Sequence, residues 1–350
     1  MENNLQTNLQ AVPSFEQQAV SQSALPSEFR AARFIKEIGR GKDGARSLSR
    51  QDAFDLYSAM LDGRVSDLEM GGILLAMRIK GESIDEIAGF LDAAVSVVVP
   101  MQAPIDSEFA PIVIPSYNGA RKKPNLTPLL AMLLAQAGAP VLLHGVMRDA
   151  GRVATADILK VLGLEPAQNA AQAQCQLQQT KLTFMPIQIL APKMHRILAM
   201  RAVLGVRNST HTLVKLLQPF VLSGHPALRL NSYTHPEYQL MLDTYLRTLH
   251  APQLGATFLM RATEGEAVAS TGRAQQIDCY NLGQHRRLCE TEAQLGAVIE
   301  DLPLSAEAVE TAAWTQKVLA GEIAVPINIA RQRDLCLQIA RELKLANEAA

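Results

Sequence analysis

The sequence predicts an α/β protein: a small all-helical domain followed by a larger α/β domain with a mostly parallel central sheet. Between about Ser49 and Val99 the apolar residues recur at helical spacing. After Pro104, short apolar runs alternate with helical stretches, the pattern of a parallel sheet with helices on its faces. At 350 residues the chain is also longer than one small core usually holds, which favours two domains.

The elements follow in order. Residues 1–27 are rich in Gln, Asn and Ser, show no clear period and read as a disordered tail. Residues 28–99 form the small helical domain. In it, Ser49 caps a helix running to Asp62, with Gly63 at its end. Ser66 caps the next, which stops before Gly81, and Ser83 caps a third through IDEIAGFLDAAVSVV. Pro100 and Pro104 then punctuate the chain.

The α/β domain is assigned to 105–190 and 221–350. PIVIPS reads as a buried strand and LTPLLAMLLAQAG as the helix after it. APVLLHG and KLTFMPI are further strands, separated by the helix TADILKVLGL. A helical pair near 192–220, PKMHRILAMRAVLG and HTLVKLLQPF, joins the small domain. LGATFLMRA is a later strand, and the chain is helical from about Ser305, with Trp314 as a packing residue.

Hydrophobic residues make up 48% and charged residues 19%, an ordinary globular balance. No apolar run reaches 18 residues, so no membrane span is expected. The start, MENNLQTNLQ, lacks a secretory pattern. Cys175, Cys279, Cys289 and Cys336 show no C-x-x-C spacing and read as buried free thiols in a reducing cytosol. A cytoplasmic protein with no metal and no cofactor is expected.

The net charge of −1 hides a strong asymmetry. From Phe109 to Pro236 the chain carries 13 bases against Asp149, Asp157 and Glu165, a net of +10, and the remainder carries −11. Surfaces normally mix signs, so a long stretch poor in acids predicts a positive groove that concentrates phosphates. A second basic run, Arg30 to Arg50, has a net of +5 and contains the glycine-rich GRGKDGAR with Arg40, Lys42 and Arg46. That run suits close approach to a phosphate or is simply an exposed loop.

Ligands of open α/β sheets bind beyond the C-terminal strand ends. The loop PSYNGARKKPN places Asn118, Arg121, Lys122 and Lys123 there, ahead of a helix. Tyr117 beside them could stack on a base or pack at the strand end. The loop HGVMRDAGRVAT adds His144, Arg148 and Arg152, with His144 either structural or catalytic. MRAVLGVRNSTHTLVK brings together Arg201, Arg207, His211 and Lys215, the last two on one helix face. No Ser-His-Asp order, Walker loop or metal-ligand cluster stands out.

At these residues, from about Phe34 to the C-terminus, the chain resembles the anthranilate phosphoribosyltransferase family. DLEMGGILLAMRIKGES is similar to that family's small-domain helix pair. HGVMRDAGRVATADILKVLG is similar to its Lys-His-Gly-Asn-Arg loop and following helix, and MRAVLGVRNSTHTLVKLLQP to its Arg-x-x-Leu-Gly-x-Arg-Thr segment. The resemblance implies a helical domain joined to an α/β domain, a homodimer through the small domain, and substrates between the domains. It also implies the positions that matter. The family's Gly-Thr-Gly-Gly-Asp pyrophosphate loop is here PSYNGA, keeping only Gly119. Leu143, Val146 and Met147 stand where its Lys, Asn and Arg are expected. Its Asp-Gly-Leu-Asp-Glu is matched by Glu264, Gly265, Glu266, Ala267 and Val268, so the two acids that hold magnesium are missing. Arg201 matches the arginine placed near anthranilate.

PSYNGARK, GVRNSTHTL and TEGE are similar to the YbiB-like branch of the family, regarded as nucleic-acid-binding. The expectation is therefore a non-catalytic protein, a homodimer, that binds DNA or RNA without sequence specificity through a basic inter-domain groove. The leading phosphate-binding residues are Arg121, Lys122, Lys123, Arg201, Arg207 and Lys215, with Arg40, Lys42 and Arg46 a second set. A glycosyltransferase with a remodelled pyrophosphate site and an interaction protein with a basic patch are the rivals.

Overall fold

The computed structural model describes residues 29–41, 43–249, 254–292, 299 and 301–349; the expected tail at 1–27 and Lys42 lie outside them. Four helices come first: α1 (Ala32–Ile38), α2 (Arg50–Asp62), α3 (Asp67–Lys80) and α4 (Ile84–Val95). The three serines act as caps. The Ser49 hydroxyl accepts the Asp52 N–H, and Ser66 and Ser83 form reciprocal capping boxes with Glu69 and Glu86. Such a cap is worth about 1 kcal/mol because it satisfies helix-end N–H groups that otherwise lack a partner. Glu86 does more. Fully buried, it also pairs with Lys80 at 2.6 Å and accepts the Leu48 N–H at 2.9 Å, pinning three segments of the bundle.

The larger part begins with β1 (Ile112–Ser116), α5 (Thr127–Gln136), β2 (Val141–Gly145), α6 (Thr155–Val161), α7 (Ala170–Thr180) and β3 (Leu182–Pro186). Four short helices follow: α8 (Ile187–Leu190), α9 (Pro192–Ala199), α10 (Arg201–Leu204) and α11 (Thr210–Leu213). The chain continues with β4 (Ala227–Tyr233), α12 (Pro236–Thr248), β5 (Gly255–Arg261), β6 (Ile277–Asn281), β7 (Gln284–Cys289), α13 (Ala308–Leu319) and α14 (Ile327–Glu348). The sheet order is β3-β2-β1-β4-β5-β6-β7. The strands β1 to β5 pair in parallel, and β6 and β7 pair antiparallel at one edge. One apolar cluster joins the bundle to α7–α9, α11 and one sheet face; the second covers the other face with α5, α13 and α14, and contains Trp314.

The short helices tie the bundle to the sheet. The Arg196 guanidinium donates to the Met60 and Leu61 carbonyls at the end of α2, and Lys193 pairs with Asp62 at 2.7 Å. The Tyr57 hydroxyl lies 2.9 Å from Thr210 Oγ1.

Some elements differ from expectation. HTLVKLLQPF is one helical turn plus a 3-10 turn at Val214–Leu216, because Pro219 cannot donate and the buried Arg229 guanidinium takes the Leu216 carbonyl. β4 carries no clear sequence signal, since Arg229 interrupts its apolar run. The β6–β7 hairpin turns at Leu282 and Gly283, both with positive φ, and β7 is largely exposed.

Candidate nucleic-acid interface

In the sheet, β1 has β2 on one side and β4 on the other, so the connection reverses direction between β1 and β4. Open parallel sheets place their ligand crevice at such a point. Here β1 and β4 pair through Ile112↔Leu228 and Val113↔Arg229, and beyond that pair they are no longer joined. Two clefts flank the opening. One, of about 190 Å³, lies between the end of β4, the start of α12, α11 and the last turn of α3. The other, of about 400 Å³, lies between the loop after β2 and helices α9 to α11.

The loop after β1 is closed by the protein's own carboxylates. Glu266, 2% exposed, accepts the backbone N–H groups of Asn118 at 2.9 Å and Gly119 at 2.6 Å. Glu264 accepts those of Arg121 at 3.1 Å and Lys122 at 3.2 Å. The Asn118 carboxamide donates to the Gly265 carbonyl, and the Arg152 guanidinium donates to the Gly119 carbonyl at 3.1 Å. Glycine is required on both sides. At Gly265 (φ +94°) a Cβ would lie 2.7 Å from the Asn118 side chain, and at Gly119 (φ +65°) it would lie 2.6 Å from the Val153 carbonyl. Four backbone donors that form an anion-binding nest in this position are therefore already filled. Ala267 and Val268, at the metal-pair positions of the resemblance, are buried and apolar, so these residues do not fit a magnesium ion. Among the described residues no cluster of three metal-binding side chains exists.

Cations surround this closed loop. Arg121, Lys122 and Lys123 are exposed on it, and Arg148 is exposed on the loop after β2. Arg207 is half-buried and forms no ion pair among the described residues. Burial, and then neighbouring Arg201, hold its guanidinium below the usual arginine value; Arg152 and Arg78 act the same way, and Asp149 opposes them. Arg78 and Arg207 line the smaller cleft together, and Arg201 lines the larger one. Burial pushes Lys215 down to about 8, with Glu266 acting against and Arg207 adding to it. His211 is pushed down to about 4, by burial first and by Arg207 next, so it is neutral at pH 7 and its Nδ1 rests against Asn208.

Several residues expected to meet phosphate take other roles. Asn118 is buried and spends its side chain on Gly265, so it holds the loop instead of facing a ligand. Arg201 pairs with Asp149 at 3.4 Å and is not a free charge. His211 is an uncharged positioning group in the cleft wall rather than a cation. Arg40 and Arg46 both reach Glu37, at 2.7 and 3.9 Å, and line neither cleft. Arg229, Lys181, Lys193 and Arg196 leave the positive stretch altogether: the first is buried, the next two pair with Asp106 and Asp62, and Arg196 caps α2. Tyr117 packs, with its hydroxyl 2.7 Å from His144 Nδ1, and burial pushes His144 down to about 3. Of the thiols, Cys175 is exposed rather than buried.

Sequence reasoning misses Arg78, because it lies 129 residues before Arg207 in an ordinary amphipathic helix. It misses the carboxylate lock too. A signal exists: two acids within TEGE, Glu264 in register with the leading acid of the family pattern and Glu266 one step before its paired acids.

Known proteins share this architecture. The "Glycosyl transferase family, helical bundle domain" matches residues 32–97, and the "Glycosyl transferase family, a/b domain" matches residues 118–331. The uncharacterized protein YbiB of Escherichia coli (strain K12) is 43% identical over 87% of this chain and 92% of its own. The anthranilate phosphoribosyltransferase of Aeromonas salmonicida (strain A449) is 27% identical over 87% of each chain. Solved folds that match include anthranilate phosphoribosyltransferase from Thermus thermophilus (TM-score 0.63, 20% identity, 90% of this chain and 95% of that one) and the Saccharomyces cerevisiae enzyme in complex with PRPP and Mg (TM-score 0.65, 15% identity, 91% and 94%). The chain therefore belongs to the glycosyl transferase family with a helical bundle and an a/b domain, as an anthranilate phosphoribosyltransferase-like protein of the YbiB-like branch.

Proposed function

We propose that this protein binds nucleic acid without sequence specificity, through the basic surface between its helical bundle and its sheet, and does not transfer phosphoribose. One observation carries the reading. Arg78, Arg207 and Lys215 line the cleft at the end of β4 without ion pairs among the described residues, while carboxylates occupy the loop that would take a pyrophosphate. Cations without counter-ions attract a polyanion by releasing its condensed counter-ions, and phosphate contacts position a strand without reading its sequence. Arg121, Lys122, Lys123 and Arg148 extend the surface along the exposed loops.

The protein is cytoplasmic and homodimeric in this reading. Its described cysteines are free thiols, and no helix among the described residues is long and apolar enough to cross a membrane. Leu68, Leu75 and Ile79 stand exposed on one side of α3, a face suited to a second copy. Two grooves in one dimer would hold a long strand with higher avidity.

The test is binding of labelled mixed-sequence oligonucleotides, single- and double-stranded, across a salt series, with phosphoribosyl pyrophosphate and magnesium as competitor. Tight binding that falls steeply with salt is expected. Arg121→Ala, Lys122→Ala and Lys123→Ala together should flatten the slope by up to about 3, one unit for each phosphate no longer neutralised. A glycosyltransferase with an unknown acceptor is the second reading, favoured by the 400 Å³ cleft beside Arg201. Magnesium-dependent binding of phosphoribosyl pyrophosphate, without oligonucleotide binding at low salt, would establish it instead.

A further inference from the structure

The 190 Å³ cleft at the end of β4 differs from the open surface around it. It is smaller than a typical drug-sized pocket, so it admits a fragment and not a base pair. Three cations from three segments line it: Arg78 from α3, Arg207 from the loop before α11, and Lys215 from the turn after it. None forms an ion pair among the described residues; Glu82 lines the cleft with them, and Glu266 and Asp149 act on Lys215 and Arg207 from outside it. Asn231 lies in its floor, 1% exposed, and neither its carboxamide oxygen nor its nitrogen has a hydrogen-bond partner among the described residues. An unsatisfied buried amide costs about 1–3 kcal/mol, so a native protein keeps one where a ligand or water completes it. Tyr238 supplies an aromatic wall. The carboxylate-locked loop adjoins the cleft without lining it: neither Glu264 nor Glu266 is in its wall, and Glu266 acts on Lys215 from behind.

We infer that this cleft is a binding site for a phosphomonoester carried on a sugar, with Arg78, Arg207 and Lys215 around the phosphate and Asn231 donating to it or to a sugar hydroxyl. A doubly charged terminal phosphate answers three unpaired cations better than an internal diester does, because it brings two charges and three acceptor oxygens to one point. The burial that weakens Lys215 as a base also strips its ammonium of water, which strengthens its attraction to a dianion. Two sources offer this chemistry: the phosphorylated end of a strand and a free mononucleotide. The first rests on the nucleic-acid function proposed above; the site itself does not.

The test uses the full-length protein and three kinds of probe. A 30-mer with both ends blocked reads the open basic surface. Eight-residue single strands with a 5′-phosphate, a 3′-phosphate or hydroxyl ends read the cleft. Thymidine 5′-monophosphate reads the free nucleotide. A phosphorylated 8-mer should bind about tenfold more tightly than the hydroxyl 8-mer, the increment of one or two charge-assisted hydrogen bonds. Asn231→Leu should abolish that advantage while leaving the blocked 30-mer within about twofold, since a rim of separate phosphate contacts adds independently. Arg78→Gln, at an exposed position, should remove the same advantage without a folding risk; Arg78 also belongs to the open basic surface, so the unchanged 30-mer is required of Asn231→Leu alone.

If the blocked 30-mer binds and the terminal phosphate confers no advantage, the inference fails and the nucleic-acid function stands. If thymidine 5′-monophosphate binds in an Asn231-dependent manner and no oligonucleotide binds, the cleft is a mononucleotide site and the nucleic-acid function fails. An advantage that survives both substitutions is a bulk charge effect and overturns the inference.

Discussion

Removing the Glu266 carboxylate should convert a closed loop into an anion site. In Glu266→Ala the N–H groups of Asn118 and Gly119 lose their acceptor. Each buried N–H left unsatisfied costs about 1–3 kcal/mol. Glu266 Oε2 has no partner among the described residues, and removing that buried oxygen offsets part of the cost. The net loss should be about 2 kcal/mol. Glu266→Gln keeps an acceptor of nearly the same shape and should lose about 1 kcal/mol or less, the difference between a charged and a neutral hydrogen bond. Urea unfolding followed by circular dichroism measures both. The same Ala variant should bind inorganic pyrophosphate measurably by calorimetry, because two backbone donors near Lys215 now face an empty space. The wild type should not bind it at this loop. The reasoning is refuted if Glu266→Ala is as stable as the wild type, or if wild type and variant bind pyrophosphate equally.

Three further outcomes are expected. Burial holds His144 near 3 in the folded chain against about 6.5 when unfolded, so the unfolded state takes up the proton first. Stability should therefore be fully present above about pH 6.5 and decline as pH falls toward 3; replacing His144 with Gln should flatten that decline in a pH series of melting temperatures. Lys215, held near 8, loses its charge just above neutrality, so oligonucleotide affinity should weaken from pH 7 to 9 at constant salt, and Lys215→Met should remove that dependence. Leu68→Glu with Ile79→Lys should shift the protein from dimer to monomer in sedimentation without unfolding it, because both side chains are largely exposed in the single chain (88% and 61%).

Most of the fold was legible because its signals are local. Ser49, Ser66 and Ser83 each mark a helix start through a bond to a backbone group three residues away, and the apolar runs of β1, β2, β3 and β5 are buried almost end to end. The elements that were not legible take their stability from distant partners. β4 carries Arg229, acceptable in a strand interior because Leu216 and Thr257 supply acceptors from elsewhere. A helical pattern at 211–220 yields for the same reason: its carbonyl is claimed from β4.

The charge of the middle stretch was determined by the sequence alone, since no folding changes which residues are acidic. Which of those charges remain free was decided only by tertiary structure. Lys181, Lys193 and Arg201 meet Asp106, Asp62 and Asp149, while Arg78 joins Arg207 from the last turn of α3. Coulomb attraction falls with distance in space and is blind to distance along the chain. For that reason the sequence could specify a strongly basic middle stretch, and only the packing of bundle against sheet could select the cations that face the crevice.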